Sequence, residues 1–157
     1  MSRVVLDTNV WLALWFFREP GVDALRDALA QGDLIPVRSA ATDFELAEVL
    51  ARPGLFNVAP DRQAELMRRW ESLAVLVSDI APAPCRCRDP DDQKFLDLAL
   101  SAGTSWLITR DRDLLKLRKK VRASGLTIAA PAGYPDTLPD LSAKSSGMPL
   151  TASPGQT

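Results

Sequence analysis

The sequence predicts an α/β fold: a mainly parallel central sheet of about five strands with helices on both faces, making three α/β/α layers. Two observations predict it. Short apolar, β-branched runs alternate with longer stretches whose apolar residues recur every three or four positions, the pattern of parallel strands joined by crossover helices. The short runs are also apolar throughout, as strands buried on both faces are, and they break off in polar clusters.

Taken in order, Val4 to Leu6 form the first strand, ending at Asp7, Thr8 and Asn9, and the apolar block Trp11 to Phe17 is the helix that follows. Val22, Leu25 and Leu29 share one face of a helix over Val22 to Ala30. Leu34 to Val37 is a second strand. Ser39 then caps a helix through about Ala51, closed by Arg52, Pro53 and Gly54. Asp61 to Leu76 carries Leu66, Met67, Trp70, Leu73 and Ala74 at helical spacing, and Val75 to Val77 reads equally as a strand or as that helix's buried end. Asp89 opens a helix with Pro90 at its first position, running to about Ser101 and stopped by Gly103. Ser105 to Thr109 is the next strand, a short helix starts at Asp113, and Leu126 to Ala129 is the last strand. Residues 1–134 are read as one domain. Residues 135–157, rich in Pro, Gly, Ser and Thr and without apolar periodicity, are read as a disordered tail.

With 157 residues, 46% apolar and 25% charged, the chain can bury a core of its own. The run Val10 to Phe17 is too short to span a bilayer and no cleavage-site pattern follows Met1, so the expected location is the cytoplasm, without a membrane partner. No histidine occurs, which removes Ser/His/Asp triads, Cys/His dyads, a histidine base and imidazole-based zinc sites. Cys85 and Cys87 are one residue apart, a spacing that suits neither a zinc knuckle nor a redox pair, and are read as reduced bystanders. The net charge of −1 carries no global signature of nucleic-acid binding.

Chemistry must then rest on oxygen donors. In an open parallel sheet the functional crevice lies at the carboxyl ends of the strands. Asp7 directly follows the first strand, Asp111 follows the "WLIT" strand, and Asp92 lies in the first turn of the helix leading into that strand. Each has a plainer reading as a helix cap. Gathered on one edge, however, such carboxylates repel one another unless a cation joins them. Glu45 is either part of a capping box begun at Thr42 or, if Ser39 is the cap, an interior helix residue beside the apolar stripe Leu46, Val49 and Leu50, with no basic partner on its own turn. Oxygen ligands without imidazole or thiolate point to Mg²⁺ or Mn²⁺, and hydrolysis of a phosphodiester is chemistry such ions support.

Four motifs in order, "VVLDTNV", "ELAEVLARPGL", "CRDPDDQKFLDLAL" and "LITRDRDLL", make the sequence similar to the PIN-domain ribonucleases, in particular the VapC-like toxins of bacterial toxin–antitoxin systems. The resemblance spans roughly residues 3 to 130. It implies a three-layer domain around a parallel sheet, an acidic cluster binding Mg²⁺ or Mn²⁺, cleavage of single-stranded or structured RNA, and a small antitoxin partner. Matched by motif, Asp7, Glu45, Asp92 and Asp111 are the implied catalytic and metal-binding residues, Asn9 and Thr109 support the first and last of them, and Asp113 is an auxiliary position. Many relatives carry a third aspartate where this chain has Gln93, which keeps Asp91 open as an alternative to Asp92.

The implied reaction is in-line attack of water on an RNA phosphodiester, leaving a 5′-phosphate and a 3′-hydroxyl. The basic run after the acidic edge, with Arg110, Arg112, Lys116 and Lys119, reads as a solvated helix face or as a track for the phosphate backbone. Trp11, Trp15, Phe16 and Phe17 read as core, or as a surface for the antitoxin or for a homodimer. Two rival functions stand beside this one. A haloacid-dehalogenase-type phosphatase needs a second acid two residues after Asp7, where Asn9 stands. A catalytically silent PIN fold that binds RNA or protein does not require all four acidic positions to be intact.

Overall fold

The computed structural model describes residues 2–54 and 57–135, so the expected tail lies outside the described residues from residue 136 onward. The elements are β1 (Ser2–Leu6), α1 (Thr8–Trp11), α2 (Asp23–Gln31), β2 (Leu34–Arg38), α3 (Ala40–Ala51), α4 (Pro60–Leu73), β3 (Val75–Leu76), α5 (Gln93–Ser101), β4 (Trp106–Ile108), α6 (Arg112–Leu115), α7 (Arg118–Val121) and β5 (Thr127–Ala129). The sheet runs β3-β2-β1-β4-β5, and every pairing is parallel.

Alternation along the strands builds the three layers. Val4 and Leu6 of β1, with Trp106 and Ile108 of β4, join a core shared with α1 to α4. Val5, Leu107 and Ile128 point the other way, into a core shared with α5, α6 and α7. From β1 the chain steps outward to β2 and β3, then returns to place β4 on β1's other side. That reversal puts a topological switch point between β1 and β4, where their carboxyl ends open a crevice.

Local chemistry settles what periodicity left open. Ser39 Oγ accepts the Thr42 N–H at 3.2 Å while Thr42 Oγ1 accepts the Ser39 N–H at 2.9 Å, so the reciprocal box starts α3 at Ala40 and places Glu45 inside the helix. Val75 and Leu76 pair in parallel with Val37 and Arg38, making this segment a strand that ends the α4 helix at Leu73. Arg38 holds that corner, donating to the Ala74 carbonyl at 3.3 Å and pairing with Asp43 at 2.6 Å. The block after β1 is not one α-helix: α1 gives way to a π-helical stretch, Leu12–Phe16, with the Phe17 N–H reaching back to the Leu12 carbonyl. Trp11 is buried, Trp15 and Phe16 are half-buried and Phe17 is exposed, so the aromatic block divides between core and surface. Among the described residues, no helix is long and apolar enough to cross a membrane.

Candidate active site

Asp7 leaves β1 with its N–H bonded to the Ile108 carbonyl of β4 at 3.0 Å, and its side chain is 5% exposed. It stands at the cap position of α1 but makes no side-chain cap bond. Instead Asp7 Oδ2 accepts the hydroxyl of buried Thr109 at 2.6 Å, and the same Thr109 Oγ1 accepts the Asp111 N–H at 2.9 Å. One hydroxyl therefore ties together the ends of β1 and β4. Asp111 does act as a cap, with Oδ2 accepting the Leu114 N–H at 3.1 Å, so the short helix starts one residue earlier than expected, at Arg112.

Asp92 closes a 3-10 turn, Pro90–Asp92, in front of α5 and makes no cap bond; Asp89 caps that turn instead, accepting the Asp91 N–H at 3.0 Å. One oxygen of the Asp92 carboxyl lies within 4.8 Å of one oxygen of Asp111. Glu45 is met from two sides: Oε2 accepts the Thr8 hydroxyl at 2.5 Å, and Oε1 pairs with Lys94 Nζ at 2.7 Å. The partner absent from Glu45's own turn comes from α5. Asp7, Glu45, Asp92 and Asp111 line a single cleft of about 400 Å³.

The carboxylates interact strongly. Burial raises the Asp7 carboxyl above its ordinary range; the Thr109 bond opposes this, and the charges of Glu45 and Asp111 add to it. Asp92 is pushed up to about 7, by desolvation first and then by Asp111 and Asp7. Without a cation the site thus retains a proton near neutral pH.

A family model described as the PIN domain matches residues 3–113. The chain belongs to the PIN-domain family. No curated protein matches it closely enough to add a relative. PIN domains are generally nucleases and typically use divalent metals, and the matched span holds all four carboxylates. The donor set fits such an ion. It consists of carboxylate oxygens from separate segments lining one cleft, those of Asp92 and Asp111 within 4.8 Å of each other, and neighbouring charges push Asp7 and Asp92 up, a repulsion that a divalent cation removes.

The remaining expected residues of this PIN domain divide into three groups. Asn9 and Asp91 line the cleft but are exposed, and Asp91 faces Lys94 through its carbonyl at 2.7 Å. Of the two neighbouring aspartates, Asp92 is the one turned toward Asp111. Thr109 lies behind the wall, holding Asp7. Asp113 is half-buried and outside the cleft lining; Arg110, Arg112, Lys116 and Lys119 are exposed and also outside it. Arg110 is instead paired with Glu19 at 2.9 Å.

Several wall residues escaped the sequence reading. Thr8, Phe44, Glu48, Arg52 and Lys94 line the cleft, and the cations in its wall are Lys94 and Arg52. Ala41, Glu45, Glu48 and Arg52 recur at three- and four-residue steps along α3, a periodic signal that could have exposed the cleft-facing side of the helix. Cys87 is no bystander in position, since its Sγ and one oxygen each of Asp92 and Asp111 lie within 4.8 Å of one another. Burial, ahead of the nearby aspartate charges, pushes its thiol up, so it remains protonated. Gln93 accepts the Cys87 N–H at 2.6 Å and donates to the Cys85 carbonyl at 3.2 Å and to Asp97 at 2.9 Å. Its amide fastens the Cys85–Cys87 segment to α5, a task that needs a donor and an acceptor together.

Proposed function

We propose that the protein is an Mg²⁺- or Mn²⁺-dependent endoribonuclease acting in the cytoplasm, the VapC-like toxin of a toxin–antitoxin pair. The observation that carries the reading is the meeting of Asp7, Glu45, Asp92 and Asp111 in one cleft, with Asp7 and Asp92 free of the capping that would otherwise explain them. Asp7, Asp92 and Asp111 would hold the ion and Glu45 would complete its surroundings. When bound, the ion supplies Lewis-acid polarisation and charge neutralisation at the phosphate.

The chain's own groups do the positioning. Thr109 fixes the Asp7 carboxylate, and Thr8 and Lys94 fix Glu45 from opposite sides, leaving it oriented to align water and accept its proton. Lys94 and Arg52 offset part of the acidic wall where a phosphate must approach. An antitoxin partner is supported by a second pocket, about 170 Å³, where Trp11, Trp15, Leu66 and Trp70 meet Arg18 and Arg62, a surface suited to an apolar segment with acidic flanks.

The test is cleavage of RNA with Mn²⁺ or Mg²⁺ by the wild type, Asp7→Asn and Asp92→Asn, with and without chelator. Each substitution should lower the rate on the order of 10²–10³-fold. Chelation should stop cleavage, and the product of an adjacent small gene should inhibit it. Activity that survives chelation or either substitution would overturn the mechanism.

A further inference from the structure

Phe44 is the most exposed large apolar side chain among the described residues, at 69%, and it belongs to neither core. A lone exposed aromatic is ordinary on a protein surface. This one lines the carboxylate cleft, immediately before Glu45 on α3. The other large apolar side chains that reach the surface, Phe17, Leu73, Val75, Leu76 and Ile80, do not line that cleft.

The surroundings of Phe44 narrow what it can meet. The cleft wall carries six carboxylates against the two cations Arg52 and Lys94. Lys94 is engaged by Glu45, whereas Arg52 takes part in no ion pair among the described residues. Eight residues of helix separate Phe44 from Arg52, about 12 Å at 1.5 Å per residue. Together, then, α3 and the Arg52 that caps its C-terminal end present an aromatic ring, a carboxylate of the candidate site and a guanidinium outside any ion pair among the described residues. A polynucleotide strand offers groups complementary to all three: a base with a free π-face, a scissile phosphate that a cation can bridge to the carboxylates, and a further phosphate for arginine.

We propose that Phe44 is a stacking platform for an unpaired base next to the scissile phosphate; this rests on the nuclease reading above. Within a duplex both faces of a base are covered by its neighbours, and the ring has nothing to stack on. Stacking of this kind tolerates any base, so Phe44 adds affinity for an unpaired nucleotide without sequence specificity.

The test compares wild type, Phe44→Ala and Phe44→Trp on a single-stranded oligoribonucleotide, on the same sequence in duplex, and on single strands with one abasic nucleotide placed in turn on each side of the cleavage point. For the intact single strand, Phe44→Ala should raise KM about tenfold with kcat little changed, and Phe44→Trp should restore it. One abasic position should bring the wild type down to the Phe44→Ala level and cost that variant nothing more. A Phe44→Ala enzyme within twofold of wild type, or losses that multiply, would overturn the proposal. Binding of the labelled single strand with Ca²⁺, read by fluorescence anisotropy, separates this inference from the nuclease reading. If the wild type binds in Ca²⁺ but cleaves with neither Mg²⁺ nor Mn²⁺, and Phe44→Ala binds about tenfold more weakly, the platform stands and the nuclease reading falls. Equal binding by both proteins, or none by either, removes the platform.

Discussion

At the scale of single residues, the site depends on which polar atoms are already spoken for. Thr109 is fully buried, and its hydroxyl both donates to Asp7 and accepts from the Asp111 backbone. Thr109→Val keeps the shape and removes both bonds, leaving a buried carboxylate and an N–H without partners. Urea denaturation should show a loss of about 1–3 kcal/mol, and Thr109→Ser should recover most of it. A Thr109→Val protein as stable as wild type would mean that the bridge between the strand ends contributes nothing. Asp111 is legible from sequence both as a cap and as a candidate site residue, and its side chain makes the cap bond while lining the cleft. Asp7 and Asp92 look like caps in sequence, yet neither side chain makes the cap bond.

At the scale of elements, the contact between α3 and α5 is the feature least visible in the sequence. Glu45 and Lys94 lie on different helices, packed in different cores, and meet only over the carboxyl edge of the sheet. Lys94→Met leaves one Glu45 oxygen uncompensated beside Asp7. The metal-free protein should lose about 1–3 kcal/mol, and saturating Mn²⁺ should return part of that. Equal losses with and without Mn²⁺, measured by denaturant midpoint, would place Glu45 outside the ion's reach. The start of α3 could be read only as a pair of alternatives, because Ser39 and Thr42 each have capping chemistry. Their reciprocal bonds select Ser39, and with it the interior position of Glu45.

At the scale of the whole molecule, folding concentrates negative charge on one edge, and stability should record it. Asp92 lies near 7 in the folded chain against an ordinary value of 3.8, and Asp7 is raised as well. Between about pH 4 and 7 the native state therefore binds more protons than the unfolded chain, so metal-free stability should fall as pH rises through that window. Mn²⁺ should reverse the trend, because the cation competes with the proton and binds better once it has gone. Asp92→Asn should flatten the pH dependence and raise the melting temperature of the metal-free protein at pH 8, by about 2–4 °C for each kcal/mol of repulsion removed, while abolishing Mn²⁺ stabilisation. A thermal melt series over pH with chelator or Mn²⁺ checks all three. Stability rising with pH in the metal-free wild type would contradict the clustered-carboxylate description.

By itself the sequence determined the layering and the edge. Val4 to Leu6 are apolar throughout because β1 is buried on both faces, and Asp7 and Asp111 come just past strands, so a parallel topology sends both to the same side of the sheet. These are local relations, carried by neighbours along the chain. Tertiary structure alone decided that Lys94 neutralises Glu45 across 49 residues, that Cys87 is brought beside Asp92 and Asp111, and that Phe44 is left on the cleft wall rather than in a core. Those outcomes depend on how two helices from opposite layers approach over one sheet edge. No local pattern encodes that approach, because it is fixed by packing in both cores at once.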